Sequence, residues 1–181
     1  MVSSKLLPAV FLDRDGVLCR TFVRKSKPYA PKRLEDFKLM PYSYQSVLRL
    51  KQHGFIVIVV TNQPDIGNHF VKPDVVEAMH QKLRDKALVD DIFMCPHSQT
   101  EGCECRKPKS GMLYKASKKY RIDLKKSFIV GDRSSDVTAG NNAGCRTIFI
   151  NRGYAEPKPL NPDATVRSLK MAVDFILENI N

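Results

Sequence analysis

The sequence predicts an α/β protein built on one doubly wound parallel sheet. Three observations predict it. Short apolar runs alternate with helical patterns along the chain. The runs are apolar throughout, as in strands covered on both faces, and polar clusters fall at the carboxyl ends of several of them. The 181 residues suffice for one domain with a sizeable core. No internal repeat, low-complexity segment or second-domain boundary divides them, so residues 1–181 are expected to form a single domain.

The strands are expected at residues 8–12, 55–60, 92–94, 127–130 and 147–150. Between them lie the helices. Tyr44, Val47, Leu48 and Lys51 begin the first, which Gly54 closes. Val76, Met79, His80 and Leu83 form an i, i+3, i+4, i+7 face, with Pro73 or Asp74 at its start. Met112, Leu113, Ala116 and Tyr120 mark a third helix. Leu169, Val173, Ile176 and Ile180 mark a C-terminal helix after the Pro-rich linker "AEPKPLNPD". Right-handed crossovers then place helices on both faces of the sheet, with a ligand beyond the carboxyl ends of the strands.

Composition narrows the function classes. A hydrophobic fraction of 43% and a charged fraction of 27% are those of an ordinary soluble protein. No apolar run approaches the ~20 residues of a membrane span. The opening "MVSSKLLPAVFLDRDG", interrupted by Pro8 and ended by acids, does not read as a signal peptide. A cytoplasmic monomer is expected. The net charge of +11 invites a nucleic-acid reading, yet the positive residues are widely spread. They concentrate only at Arg20, Arg24, Lys25, Lys27, Lys32 and Arg33, where Pro28 and Pro31 argue for a loop and the aromatic interleaving of strand binders is absent. A basic loop suits a small phosphorylated substrate better than a polynucleotide.

That loop follows "FLDRDG", an apolar strand running into Asp13 and Asp15. Carboxylates are costly there unless a cation waits. Thr61 in "VVTNQ" and Asp132 and Asp136 in "IVGDRSSD" fall at other strand ends, so the polar clusters converge on one rim. Four carboxylates on a rim suit a hard divalent cation, Mg²⁺. Asp13 then has two roles open to it, metal ligand and nucleophile. Asp15 can give a proton to a leaving group and later take one from water. Gly16 permits a tight turn. Asn62 and Gln63 offer donors to phosphate. Arg133 either reaches a substrate hydroxyl or second phosphate, or is a surface arginine. The competing account of D-x-D-G alone is a surface turn.

"FLDRDGVL", "VVTNQ", "CRKPKSGM" and "VGDRSSD" resemble the four ordered motifs of the haloacid-dehalogenase-like phosphatase superfamily, over roughly Val10 to Ile150. The chain is similar to its branch of heptose bisphosphate phosphatases and histidinol-phosphate phosphatase domains. The resemblance implies a Rossmann-like core and an Mg²⁺-dependent phosphatase working through an aspartyl-phosphate, and no insertion long enough for a cap domain follows the first strand or the second helix. It implies Asp13 as nucleophile and Asp15 as general acid/base. Asp13, the backbone carbonyl of Asp15 and Asp132 would hold Mg²⁺. Thr61 and Lys107 would hold the transferring phosphoryl group, and Arg106 would contact substrate. Asp136 would orient Lys107 or a metal-bound water.

"CPHSQTEGCECRKP" places Cys95, His97, Cys103 and Cys105 in eleven residues, a set matching a closed tetrahedral Zn²⁺ site. The zinc is expected to be structural, pinning the loop 95–105 and fixing Arg106 and Lys107 just after its last ligand. Both groups of the branch have such a loop. Cys19 and Cys145 read as ordinary small or buried residues, His80 as packed or partly exposed on a helix face, and nothing in the spacing makes His53 or His69 a ligand.

The substrate is expected to be a sugar or amino-alcohol phosphate. "CRKPKSGML" with "AGCRTIFI" resembles the heptose group, whereas the five residues between His97 and Cys103 resemble the histidinol-phosphate group. Two further alternatives are a zinc-stabilised basic binding module without turnover and a nucleic-acid 3′-phosphatase.

Overall fold

The computed structural model describes residues 6–180; the opening polar stub up to Lys5, and Asn181, lie outside them. Six parallel strands form the main sheet: β1 (Ala9–Leu12), β4 (Ile56–Asn62), β5 (Asp91–Cys95), β6 (Phe128–Gly131), β7 (Arg146–Ile150) and β8 (Ala164–Val166). Their spatial order is β5-β4-β1-β6-β7-β8. Counting only these strands along the chain, the order is 3-2-1-4-5-6, the doubly wound arrangement whose winding reverses between β1 and β6.

Both faces are buried, and the pleat sorts the side chains between them. Val10 and Leu12 join Val57, Val59, Val130, Ile148 and Ile150 on one face. Ala9 and Phe11 join Ile58, Val60 and Ile129 on the other. Helices α1 (Ser43–Gln52), α3 (Pro73–Ala87) and α6 (Leu169–Glu178) cover the first face through Val47, Leu50, Met79, Leu83, Val173 and Ile176. Helix α4 (Gly111–Tyr120) covers the second through Met112, Leu113 and Ala116. Beside it, α5 (Ser134–Ala143) packs so closely that a Cβ on Gly140 would lie 2.2 Å from Ile129 Cγ2.

Several local features differ from the sequence expectation. The basic segment expected as a loop is an antiparallel hairpin of β2 (Phe22–Arg24) and β3 (Lys27–Tyr29). Strand β4 runs on through Thr61 and Asn62, which pair with Met94 and Cys95 of β5. A short helix α2 (Pro64–Gly67) follows it. No cap domain occurs among the described residues, and none of their helices is long and apolar enough to cross a membrane.

His80 lies on the buried face of α3 and is 2% exposed. Its Nε2 accepts from Arg14 Nη1 at 3.3 Å. Burial first, and then the charge of Arg14, push its pKa from 6.5 down to about 4, against the weaker pull of Glu77. The unfolded chain therefore takes up a proton as pH falls below 6.5 while the folded chain does not. Stability is fully present above that value and is lost toward the folded one. Between about pH 7.5 and about pH 5 this linkage removes about 2 kcal/mol. Urea unfolding at both pH values should show that loss in the parent and a loss smaller by that amount in His80→Gln. Equal pH dependence of the two proteins would count against it.

Candidate active site

The strand ends on either side of the winding reversal bring four groups together. Asp13 follows β1, Asp132 follows β6, and Asp136 lies in the first turn of α5. Lys107 enters from the loop between β5 and α4 and is 3% exposed. Its ammonium donates to Asp13 Oδ1 at 2.8 Å and to the Val60 carbonyl at 2.7 Å. It also pairs with Asp136 Oδ1 at 2.6 Å. Two of the lysine's N–H donors are thus engaged in hydrogen bonds, and the ion pair with Asp136 adds a second carboxylate beside the ammonium. Burial acts to lower the Lys107 pKa, but Asp13 and Asp136 outweigh it and hold the amine charged.

Asp13, Asp132 and Asp136 offer carboxylate oxygens within 4.8 Å of one another. Three carboxylates and one ammonium leave two surplus negative charges. Burial pushes the Asp13 pKa up to about 6 against the pull of Lys107, with Asp136 and Asp15 adding to the rise. Burial, Asp13 and Asp136 raise Asp132 well above the usual carboxylate range. Asp136 is held from both sides, by Lys107 and by the Arg133 amide at 3.1 Å. Neither oxygen of Asp132 has a hydrogen-bond partner, although both are buried. A hard divalent cation fits this donor set in charge and in chemistry. The backbone tolerates the crowding only at glycine: Gly16 has φ +86°, and a Cβ there would lie 1.8 Å from Asp132 Oδ2.

Asp15 has its own cation. Arg14, 0% exposed, donates to Asp15 through Nε at 3.0 Å and Nη2 at 3.2 Å and stacks on Phe37 at 5.5 Å. Gln63 Nε2 donates to Asp15 Oδ2 at 2.7 Å and to Thr61 Oγ1 at 2.9 Å. The Cys19 thiol donates to Asp15 Oδ1 at 3.2 Å. Gln63 is thereby committed to Asp15 and Thr61. Asn62 grips the backbone of Lys107, donating to its carbonyl and accepting from its amide, both at 3.0 Å. Both amides line the cleft while their hydrogen bonds go to protein.

The cleft is about 370 Å³, the size of a small metabolite. Asp13, Asp15, Arg106, Lys107, Asp132 and Arg133 line it at the rim, and Thr21, Pro28, Tyr29 and Ala30 of the hairpin region form an outer wall. Arg133 is held by Glu156 through Nε and Nη2. Arg106 keeps a buried Nη1 without a partner. Sequence reasoning did not single out Arg14, Thr21, Arg152 or Tyr154. For Arg14 the signal was available, since an arginine between two strand-end acids is a candidate partner for one of them.

Beside the cleft, the Nδ1 of His97 and the Sγ atoms of Cys95, Cys103 and Cys105 lie within 4.8 Å of one another. His97 Nδ1 is 3.2 Å from Cys105 Sγ, and Cys95 Sγ is 3.5 Å from Cys103 Sγ. A tetrahedron with Zn–S of about 2.3 Å has edges of about 3.8 Å, so the four side chains fit a closed zinc site.

A HAD-hydrolase-like family model matches residues 104–172. The chain is 32% identical over 196 aligned residues to the D-glycero-D-manno-heptose-1,7-bisphosphate 7-phosphatase of Thermosynechococcus vestitus, covering 96% of this chain and 97% of that protein. It is 36% identical over 149 residues to the D-glycero-beta-D-manno-heptose-1,7-bisphosphate 7-phosphatase of Pseudomonas aeruginosa, covering 80% and 81%. The fold matches the crystal structure of D,D-heptose 1,7-bisphosphate phosphatase from B. bronchiseptica complexed with magnesium and phosphate. The TM-score is 0.77 at 27% identity, over 95% of this chain and 99% of that one. The chain belongs to the haloacid-dehalogenase-like hydrolases, as one of their phosphatases.

Proposed function

We propose that this phosphatase removes the 7-phosphate of D-glycero-D-manno-heptose 1,7-bisphosphate, with Asp13 as nucleophile. The observation that carries the reading is the convergence of Asp13, Lys107, Asp132 and Asp136 at the winding reversal. The end-to-end match to heptose bisphosphate 7-phosphatases supplies the substrate.

An Asp13 carboxylate oxygen forms a bond to phosphorus as the bond from phosphorus to the sugar oxygen breaks. Asp15 gives its proton to that departing oxygen. Arg14 and Gln63 keep Asp15 beside the reacting atoms. In the second half, Asp15 takes a proton from water as the water oxygen attacks the acyl phosphate, releasing phosphate and restoring Asp13. Mg²⁺ held by Asp13, Asp132 and the main-chain carbonyl of Asp15 would supply the positive charge that lets an anionic nucleophile meet an anionic phosphate. Lys107 fixes the Asp13 carboxylate and adds a cation beside the phosphoryl oxygens. The unpartnered Nη1 of Arg106 suits a donor role toward the substrate. The zinc, held by Cys95, His97, Cys103 and Cys105, is structural in this reading.

The five-residue spacing between His97 and Cys103 favours a second substrate, histidinol phosphate, so the two belong in one assay. Phosphate release from heptose 1,7-bisphosphate, histidinol phosphate and a nucleotide 3′-phosphate should be measured with Mg²⁺. The heptose bisphosphate is expected to give the highest kcat/KM. Preference for histidinol phosphate would replace the substrate assignment, and no release from any of them would overturn the reading.

A further inference from the structure

The segment following β7 ties the rim together at four points. Arg152 Nε donates to the Gly16 carbonyl at 2.9 Å. The Tyr154 hydroxyl lies 3.1 Å from Thr21 Oγ1. The Ala155 amide donates to the Ser26 carbonyl, in the hairpin turn, at 2.8 Å. Glu156 holds Arg133. Three of these are tethers between one loop and the next. Tyr154 differs because its hydroxyl also borders Asp132: a Cβ built on Gly16 would lie 1.8 Å from Asp132 Oδ2 and 3.1 Å from the Tyr154 hydroxyl.

Asp132 is the rim carboxylate that most needs a donor. Asp13 is held by Lys107, Asp15 by Arg14 and Gln63, and Asp136 by Lys107 and the Arg133 amide. Asp132 has two buried oxygens and no hydrogen-bond partner for either. A phenol carries one proton and can also accept. If Thr21 donates to the Tyr154 oxygen, the tyrosine's own proton is free to turn to Asp132.

We infer that Tyr154 is a positioning residue for the rim cation: its hydroxyl, seated by Thr21, fixes Asp132 in the orientation that binds Mg²⁺. The inference rests on Asp132 being an Mg²⁺ ligand, as in the function proposed above. Outer donors of this kind typically carry a tenfold or greater share of metal affinity. Thr21 also lines the cleft, so one hydrogen-bonded link joins the metal ligand to the substrate wall.

The test is calorimetric titration of Mg²⁺ into the full-length protein without substrate. Tyr154→Phe should weaken Mg²⁺ binding by about tenfold. Its activity should fall at limiting Mg²⁺ and regain part of that loss as Mg²⁺ is raised, a metal dependence that loss of a merely structural tether would not produce. Thr21→Val should weaken Mg²⁺ binding by a smaller factor, and Thr21→Ser should restore it. A Tyr154→Phe protein that binds Mg²⁺ as tightly as the parent overturns the inference. Should that variant fail to fold, equal Mg²⁺ affinity in Thr21→Val and Thr21→Ser overturns it instead. A parent that binds no Mg²⁺ overturns both this inference and the metal reading. A parent that binds Mg²⁺ yet releases no phosphate overturns the proposed function alone.

Discussion

Asp13→Asn is expected to abolish phosphate release while the protein remains folded. The amide keeps the shape of the carboxylate but is not a nucleophile toward phosphorus, so kcat should fall by at least about 10⁴-fold. Lys107 would still hold Asp136 and the Val60 carbonyl, and no buried cation would be stranded. The stability effect has a definite sign. Burial and the neighbouring carboxylates push the Asp13 pKa upward, which means that its charged form is disfavoured in the metal-free fold. Removing that charge should leave the metal-free Tm equal to the parent's or higher, and should shrink the rise in Tm that Mg²⁺ produces. Steady-state kinetics and thermal melts with and without Mg²⁺ check both halves. Turnover within tenfold of the parent would rule out Asp13 as the attacking group.

The same crowding explains which parts of the molecule are legible in the sequence. Strands β1, β4, β6 and β7 read clearly because both of their faces are buried and their apolar runs are uninterrupted. Their carboxyl ends must carry the chemistry, so Asp13, Asp15, Thr61 and Asp132 are placed on one rim by the sequence alone. The hairpin could not. Its two-residue turn has positive φ at Lys25 and Ser26, 49° and 57°, where glycine or asparagine usually signals such a turn. Pro28 inside β3 argued further against a strand. Strand β8 has three residues and follows a proline-rich stretch, too short for a pattern. In α5 the sequence "SSDVTAGNNA" carries glycine and asparagines that look like helix breakers. Gly140 is there because the helix lies against Ile129 and Thr147 with no room for a side chain.

Within the site, residue type and spacing identified the groups but not their partners. Lys107 was legible as a cation after the zinc loop, yet its three simultaneous contacts depend on strands far from it in sequence. Asn62 and Gln63 were legible as donors beside a phosphate site, and the fold turns their side chains to holding Lys107 and Asp15. Tyr154 sits in an irregular linker with no periodic or motif signal, and only the meeting of that linker with the β1 turn gives it a place. The two acids after β1 are each matched by a cation of this chain, Lys107 for Asp13 and Arg14 for Asp15. The excess that remains belongs to Asp132 and Asp136 together, and it is the part a divalent ion would neutralise.

Cys103→Ser is expected to cost both stability and activity, and extra Mg²⁺ should not restore either. Residues 96–110 contain no helix or strand, so ordering them costs about 1–2 kcal/mol of backbone entropy per residue. The loop offsets this with few apolar contacts of its own: Cys95, Cys103 and Cys105 pack against the core face covered by α4. A zinc ion across Cys95, His97, Cys103 and Cys105 would be the main restraint, and structural zinc sites of this kind contribute several kcal/mol to folding. Loss of one thiolate should therefore lower the Tm by about 10 °C or more. The activity loss follows from position. Arg106 and Lys107 come directly after the last ligand, and Lys107 must stay within hydrogen-bonding distance of Asp13, Asp136 and the Val60 carbonyl at once. A shift of about 1 Å at that point is enough to cost about 10²-fold in rate. Metal analysis should find close to one zinc per parent chain and less in the variant. Parent protein that contains no zinc, or a Cys103→Ser variant with parental Tm and kcat, would show that the loop holds its shape without a metal.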